Sequence, residues 1–254
     1  MTSTSRSFAD KLGAQLEDKV KVLDPDLGRS AYASVSVEAP FNLTVDESKR
    51  IGAVIGCDAF ILLRSATQRR SAFGRAEYYE AYAVIYVASA RTGRLVWWRL
   101  LSREAPTPEK AGVLLEAEAG KLSDNIAHDV RSILSREIKE PETAVVEELP
   151  AENTPLAKGF RSPVPYRRIK PEYTPLAALY EVTATVEALV DLDVSGIVKR
   201  VEIVRWAGFG LDESVEKTIR VMNWRPAERN GKSLPMRFLV RYNFKKIDKD
   251  PPAQ

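Results

Sequence analysis

Cysteine and histidine are nearly absent from this chain: among 254 residues there is one cysteine, Cys57, and one histidine, His128. A single cysteine cannot form an internal disulfide, which excludes a disulfide-stapled secreted domain. One histidine and one cysteine also cannot assemble a catalytic triad or a zinc cluster. We therefore predict a protein that is not an enzyme and has no metal site and no cofactor. Cys57 is expected to be a small buried thiol, and His128 is expected on a solvated helix face.

Long apolar runs are also missing. Residues 1–8 contain neither the apolar segment of a signal peptide nor a lipidation cysteine, and no stretch reaches the roughly 18 apolar residues of a membrane span. The sequence as written predicts a soluble protein without a membrane anchor. The net charge is only +3, and the more basic part, residues 166–247, lacks the dense Lys/Arg stripe of a nucleic-acid-binding surface. We expect no nucleic-acid partner.

Two short patterns resemble chemical sites but have simpler explanations. Gly208-Phe209-Gly210 looks like the start of a dinucleotide-binding loop, but Glu213 occupies the third glycine position, where its charge would repel a pyrophosphate. Asp191 and Asp193 alternate along one predicted strand, so they share an outward face. We interpret them as ordinary solvated charges and not as an acid–base pair.

Proline and glutamate are concentrated in residues 139–165, and such a segment cannot form a hydrophobic core. We interpret it as a semi-extended linker between two domains, residues 1–138 and 166–247, with a short tail at residues 248–254. Helix and strand patterns occur on both sides of the linker. The predicted fold class is therefore α+β with two domains.

Residues 1–138 are predicted to form an α/β domain with a mixed sheet packed by helices. The expected order is helix, strand, helix, three strands, helix. Val20–Leu23 is the isolated strand, and the basic stretch Thr67–Arg75 is expected to be a long hairpin loop. Thr107 can cap the last helix, and Pro108 suits its first position. The other predicted elements are a helix near residues 8–16, a helix from Thr44 to Ile55, strands at Asp58–Ser65, Glu77–Ala90 and Leu95–Ser102, and a helix reaching Arg136.

Two motifs in this domain carry a resemblance to known proteins. Ile51-Gly52 and Gly56-Cys57-Asp58-Ala59 lead into the first of the three strands, and Arg91-Thr92-Gly93-Arg94-Leu95-Val96-Trp97 closes a hairpin. With the element order, these motifs are similar to the CsgG/LpoB-type and TolB N-terminal α/β domains of bacterial envelope proteins. The resemblance covers about residues 8–136 and implies an envelope-type domain.

Residues 166–247 show the alternation that is typical of half-buried strands. Thr185–Asp193 and Ile197–Val204 flank the turn Val194-Ser195-Gly196, which predicts an antiparallel hairpin. The apolar and polar residues of Met236–Phe244 also alternate. We predict a three-stranded antiparallel sheet with helices on one face.

The segment before the final strand has the features of a helix, a hinge and a turn. Asp212 can cap a helix whose apolar face recurs at helical spacing. Pro226 ends that helix, and Asn230-Gly231 tolerates the positive φ of a turn. Trp224, between helix and proline, is expected to pack in the core. The apolar face consists of Leu211, Val215, Ile219 and Met222.

This order of motifs resembles the C-terminal domain of TonB-type energy transducers. The residues that carry the resemblance run from Gly210-Leu211-Asp212-Glu213 through Trp224-Arg225-Pro226 to Asn230-Gly231-Lys232 and the final strand. Lys170-Pro171-Glu172-Tyr173-Thr174-Pro175 stands where the family has a Tyr-Pro entry to its first helix. The resemblance implies a periplasmic, non-enzymatic protein that adds the extended segment of an outer-membrane receptor, or of another envelope protein, to a sheet edge for energy transduction or transport.

The same resemblance places the partner contact on Met236–Phe244, with help from Tyr173. Alternation directs four side chains of that strand outward, and these are the predicted partner-binding residues. An exposed edge can also pair with its own copy, so a homodimer is possible when no partner is present. The four outward residues are Arg237, Leu239, Arg241 and Asn243.

An alternative hypothesis gives the main role to the first domain. In that case the chain is an envelope-assembly accessory protein, in which residues 1–138 bind the main partner and the TonB-like module is an anchor or scaffold. TonB-type transducers carry an N-terminal membrane helix, which this sequence does not contain. Either an anchor or export signal is missing from the sequence, or the protein is a soluble relative.

Overall fold

The computed structural model of the chain describes residues 3–137, 147–150 and 158–246. The chain divides into two compact units. The N-terminal unit comprises residues 1–41 and 45–140, and the C-terminal unit comprises residues 42–44 and 141–254. The short segment Asn42–Thr44 thus belongs to the C-terminal unit although it lies early in the sequence.

The N-terminal unit has three helices, three strands and two further helices in its described residues. They are α1 (Ser3–Glu17), α2 (Pro25–Ser34), α3 (Val45–Ile55), β1 (Ala59–Ala72), β2 (Arg75–Ser89), β3 (Leu95–Ala105), α4 (Pro108–Glu116) and α5 (Ala119–Glu137).

The sheet of this unit is wholly antiparallel, with strand order β1-β2-β3, so the predicted mixed sheet is wrong. Both connections are short hairpins, and a hairpin can join only antiparallel strands. The predicted loop at Thr67–Arg75 is also wrong, because β1 and β2 continue to a tight turn at Phe73-Gly74. In the second hairpin Gly93 has φ 72°, and a Cβ there would lie 2.0 Å from the Val45 carbonyl oxygen.

One predicted strand and one predicted helix of this unit also differ from the structure. Val20–Leu23 is not a strand, and the chain instead forms α2, where Asp24 accepts a hydrogen bond from the Asp26 amide at 2.9 Å. Thr107 caps α4 as predicted, accepting from the Lys110 amide at 3.3 Å. The predicted long helix is divided between α4 and α5 at residues 117–118. The apolar faces of α1, α4 and α5 pack on one face of β2; the buried residues include Phe8, Leu12, Leu16, Ala83, Ile85, Leu115, Leu122 and Ile126.

The C-terminal unit contains two helices and eight strands in its described residues. They are β4 (Phe160–Arg161), β5 (Val164–Pro165), α6 (Pro175–Leu179), β6 (Ala184–Leu192), β7 (Val198–Arg205), α7 (Leu211–Val221), β8 (Trp224–Arg225), β9 (Ala227–Arg229), β10 (Lys232–Leu234) and β11 (Met236–Phe244).

Its main sheet has three antiparallel strands, as the sequence predicts, and their order in the sheet is β11-β6-β7. Leu211, Val215 and Ile219 of α7 are buried, which matches the predicted apolar face. Asp212 is not the cap, because Gly210 holds that position with φ 76°. Trp224 is 5% exposed and packs edge-on against Phe238 with ring centroids 5.1 Å apart.

Part of the predicted linker, residues 139–165, is an ordered portion of the C-terminal unit. Phe160–Arg161 pairs with β9, and Val164–Pro165 pairs with β8. Proline and glutamate content did not predict this pairing, because the partners lie 59 to 69 residues later in the sequence. Residues 138–146 and 151–157 of the region, and the tail at 248–254, lie outside the described residues.

Candidate interaction site at the edge of the C-terminal sheet

The outer strand β11 has one fully paired side and one side that is largely open. On the inner side it pairs with β6 without a register shift, from Met236 opposite Leu192 to Phe244 opposite Ala184. On the outer side, the described residues provide one contact: the Arg237 amide donates to the Glu147 carbonyl at 2.8 Å, beside a parallel bridge from Glu148 to Arg237.

The direction of the Arg237 amide identifies which backbone groups face outward along the rest of the strand. Successive residues of a strand present their amide and carbonyl groups to opposite neighbours. Because Arg237 donates to the outer side, Leu239, Arg241 and Asn243 also present their N–H and C=O groups there. Within the described part of the chain, no segment pairs with these three residues on the outer side of β11.

The side chains of β11 alternate as the sequence predicts. Met236, Phe238 and Phe244 are buried, whereas Leu239, Arg241 and Asn243 are exposed. Leu239 is a large apolar residue that is 47% exposed. The orientation of the predicted partner-binding residues is therefore as expected; their role in binding stays a prediction.

The polar side chains of this outward row are held by β6, which sequence analysis did not predict. Arg237 Nε and Nη2 donate to the two carboxylate oxygens of Asp191, each at 2.7 Å. Arg241 Nε donates to Glu187 at 2.6 Å. These are cross-strand pairs of directly opposite residues. The hydrogen bonds from Arg237 to Asp191 raise the pKa of the guanidinium.

The prediction that Asp191 and Asp193 are ordinary solvated charges is wrong for Asp191, which is 7% exposed because Arg237 covers it. Glu187 is also buried, between Arg241 and Arg205, whose Nε lies 3.3 Å from the carboxylate. Asp193 lies in the turn after β6 and accepts from the amides of Ile197 and Ser195. Hydrogen bonding to the Ile197 amide lowers the pKa of Asp193.

Tyr173 lies at the far end of β11, where its ring stacks on Phe244 at 6.3 Å. Its hydroxyl is 2.9 Å from the Val182 carbonyl and 3.1 Å from the Ala177 carbonyl. Burial raises the pKa of this hydroxyl. Tyr173 thus ties the middle of α6 and the residue Val182 beyond it to the end of β11.

At the opposite edge of the sheet, Asn42–Thr44 contacts the C-terminal end of β7. The Asn42 side chain accepts from the Thr185 amide at 2.9 Å and donates to the carbonyls of Thr185 and Trp206. The Trp206 amide donates to Leu43, and Thr44 forms an antiparallel bridge with Arg205. On β11, the described contacts of the outer side are confined to Arg237, so the rest of this edge leaves room for another strand.

A basic residue outside β11 also faces this edge. Arg229 of β9 forms an ion pair with Glu147, and its guanidinium lies 5.8 Å from the centre of the Phe160 ring. Its Nε is buried and has no hydrogen-bond partner among the described residues. Sequence analysis missed Arg229, Glu147 and Asn42, because each acts through a contact that is distant in sequence.

The residues that could carry other chemistry do not form a site. Cys57 is half-buried, and burial raises the pKa of its thiol, which disfavours the reactive thiolate. His128 is exposed on α5, as predicted. Within the described ranges, no group of three or more His, Cys, Asp or Glu side chains could hold a metal ion.

A groove of about 740 Å³ lies on the C-terminal unit, beside the turn between β6 and β7. Its walls are formed by Tyr166, Ser195, Gly196, Ile197, Val198, Arg220, Met222, Asn223 and Trp224. Arg220 is already paired with Glu216.

Comparison with known proteins identifies the C-terminal unit. Residues 169–245 match the family of Gram-negative bacterial TonB protein C-terminal domains. The solved solution structure of the Pseudomonas aeruginosa TonB C-terminal domain is similar at 16% identity and a TM-score of 0.31, over 42% of this chain and 100% of that one. No curated protein matches the chain. None of the helices in the described ranges is long and apolar enough to cross a membrane. The family match covers residues 169–245 and confirms the predicted resemblance of this part of the chain to TonB C-terminal domains.

Proposed function

We propose that this protein is a non-enzymatic, periplasmic TonB-like transducer that binds an outer-membrane partner by adding an extended segment of that partner to β11. The open outer edge of β11 carries the proposal. Leu239, Arg241 and Asn243 present backbone groups at this edge, where the described contacts of the outer side are confined to Arg237.

The family supports the same role. TonB C-terminal domains are periplasmic in Gram-negative bacteria, interact with outer-membrane receptors, and belong to non-enzymatic transducers. Strand addition fits the chemistry of the edge, because its unpaired N–H and C=O groups supply main-chain hydrogen bonds. Specificity then comes from the outward side chains, among them the exposed Leu239.

Cross-strand ion pairs preorganise this surface. Arg237 and Arg241 are fixed over Asp191 and Glu187, so an incoming strand meets ordered side chains. Because these long side chains are already ordered in the free protein, less side-chain conformational entropy is lost when the partner binds. The same charges on an edge strand disfavour unspecific sheet growth.

Amide hydrogen exchange on the full chain tests the proposal. The probe is a synthetic TonB-box-type peptide from a candidate outer-membrane receptor, and the matched control is the same peptide with alternate amides N-methylated, which removes strand donors but keeps the side chains. We expect the unmodified peptide to protect Leu239, Arg241 and Asn243 and the methylated peptide to leave them unprotected. Binding without protection along β11 would place recognition elsewhere. Protection at high protein concentration without peptide would instead indicate pairing between two copies.

A further inference from the structure

The segment Glu147–Pro150 occupies one end of the edge that the proposed function requires. Its Glu147 carbonyl accepts the outward Arg237 amide at 2.8 Å, and Glu148 forms the parallel bridge with the same residue. These residues belong to the C-terminal unit, between two parts of the chain that lie outside the described residues.

Arg237 belongs to the same outward row as Leu239, Arg241 and Asn243, since the four alternate along a strand without a register shift. A partner segment that spans the whole row needs the Arg237 amide. One amide N–H cannot donate a full hydrogen bond to two strands. A segment that spans only residues 239–243 leaves Glu147 in place.

The charge pattern explains why this acidic segment stays at this end of the strand. Glu147 forms its ion pair with Arg229, and Glu148 adds a negative charge near the Arg237 guanidinium, whose pKa it helps to raise. Both arginines are partly buried. Arg229 Nε already has no hydrogen-bond partner among the described residues. If Glu147 left, the Arg229 guanidinium would also lose the carboxylate with which it forms its described ion pair.

We propose that Glu147 and Glu148 act as an intramolecular competitor, which occupies the Arg237 end of the β11 edge until a partner strand displaces them. This inference rests on the proposed function, because it concerns the same edge. The contact suits displacement, since it consists of a single described backbone hydrogen bond and an ion pair between side chains 29% and 46% exposed. Such ion pairs contribute little individually.

The test variant is Glu147→Arg, which reverses the charge that faces Arg229 and leaves the sequence of β11 unchanged. Glu17→Arg is the matched control, because it makes the same charge change on an exposed side chain of α1 in the other unit. Two readouts are used on the full chain. The first readout is amide exchange at Arg237 without any partner. The second is the affinity for two TonB-box-type peptides of zero net charge: a long one that can pair with residues 237–243 of β11, and a short one that can pair with residues 239–243 only.

We expect faster exchange at Arg237 in Glu147→Arg only, and about two- to fivefold tighter binding of the long peptide by this variant. The short peptide should bind both variants and the wild-type protein equally. Unchanged exchange at Arg237, or equal affinity of wild-type protein and Glu147→Arg for the long peptide, would overturn the competition while leaving strand addition intact. If neither peptide protects residues 239–243 in any variant, the proposed function fails, and the competition fails with it.

Discussion

Arg237 and Asp191 lie directly opposite each other across β11 and β6, and two parallel hydrogen bonds of 2.7 Å join the guanidinium to the carboxylate. Their side chains are only 17% and 10% exposed. This geometry fixes the register of the two strands and the orientation of the first outward residue at the candidate site. A partner that contacts the Arg237 guanidinium therefore also meets the Asp191 carboxylate that is bound to it.

Removing one member of this pair should destabilise the C-terminal unit. Asp191→Ala leaves the Arg237 guanidinium without its carboxylate, and for a partly exposed pair we expect a loss of about 1–3 kcal/mol in the free energy of unfolding. Urea denaturation measures it. The double variant Asp191→Ala/Arg237→Ala should recover part of the loss. If the two single effects simply add, the residues do not interact in solution.

The local features of the C-terminal unit were predictable, because they depend on neighbours in sequence. The alternation of β11 and the apolar face of α7 follow from periods of two and about 3.6 residues. Trp224 could be placed in the core, since it stands between an amphipathic helix and Pro226. In the N-terminal unit, the Thr107 cap and Pro108 marked a helix start for the same reason.

Features that depend on distant pairing were not predictable. The burial of Asp191 requires knowledge of the register that puts Arg237 opposite it. Asn42 hydrogen-bonds to Thr185, which is 143 residues away. The predicted strand at Val20–Leu23 is followed by Asp24-Pro25, and aspartate before proline is suited to start a helix, as it does in α2. The basic residues of Thr67–Arg75 suggested a long loop, so the sequence did not predict that the strands continue to a tight turn at Phe73-Gly74.

The candidate site makes a sharp prediction at Leu239, whose N–H faces outward and has no role in the pairing with β6. Leu239→Pro removes that one donor, and proline is tolerated in an edge strand when its missing N–H would face solvent. We expect at least about a tenfold loss of peptide affinity, while Leu239→Ala, which keeps the N–H, loses much less. Calorimetric titration measures both, and equal losses would show that only the side chain matters. A thermal melt of each variant checks that the sheet is intact.

Trp224 tests the core of the same unit. It is 5% exposed, packs on Phe238, and its Nε1 donates to the Ile219 carbonyl at 3.1 Å. Trp224→Ala should cost about 3–5 kcal/mol and unfold or strongly destabilise the C-terminal unit. Trp224→Phe keeps an aromatic ring and should cost less. Chemical denaturation followed by amide exchange in both units would show whether α1 to α5 stay protected; an unchanged midpoint for Trp224→Ala would mean that this ring is exposed in solution.

Asp212 gives the C-terminal unit a specific pH dependence. Burial raises the pKa of its carboxyl to about 7, against the opposing effect of hydrogen bonds from the Gly208 and Ala207 amides, and the negative charge of Glu213 raises it further. A folded-state pKa above the unfolded value near 3.8 means that the folded protein binds more protons in this range. Stability from this group is therefore present at low pH and is lost as pH rises from about 4 through about 7.

The variant Asp212→Asn isolates this effect, because it cannot titrate. Between pH 5 and pH 8 the wild-type protein should lose on the order of 1–3 kcal/mol more stability than the variant, as measured by urea denaturation at each pH. The two carboxylate oxygens of Asp212 accept hydrogen bonds from the Ala207 and Gly208 amides, whereas asparagine has only one side-chain oxygen. We therefore expect the variant to be less stable overall. Parallel pH profiles for the two proteins would show that Asp212 does not titrate in this range.

Asn42 should be essential to the C-terminal unit although it lies more than 120 residues before most of it. Its buried side chain makes three hydrogen bonds to the backbone of Thr185 and Trp206, and Asn42→Ala leaves those groups without partners in a place that water cannot easily reach. We expect a loss of about 2–4 kcal/mol in the C-terminal unit. Asn42→Asp is the matched variant of equal size: it keeps the acceptor for the Thr185 amide but cannot donate to the two carbonyls, so it should also destabilise. Amide exchange at Thr185 and Trp206 is the direct measurement. If both amides keep wild-type protection in Asn42→Ala, then β6 and β7 hold this edge without the Asn42 side chain, and a fragment of residues 158–246 should fold alone.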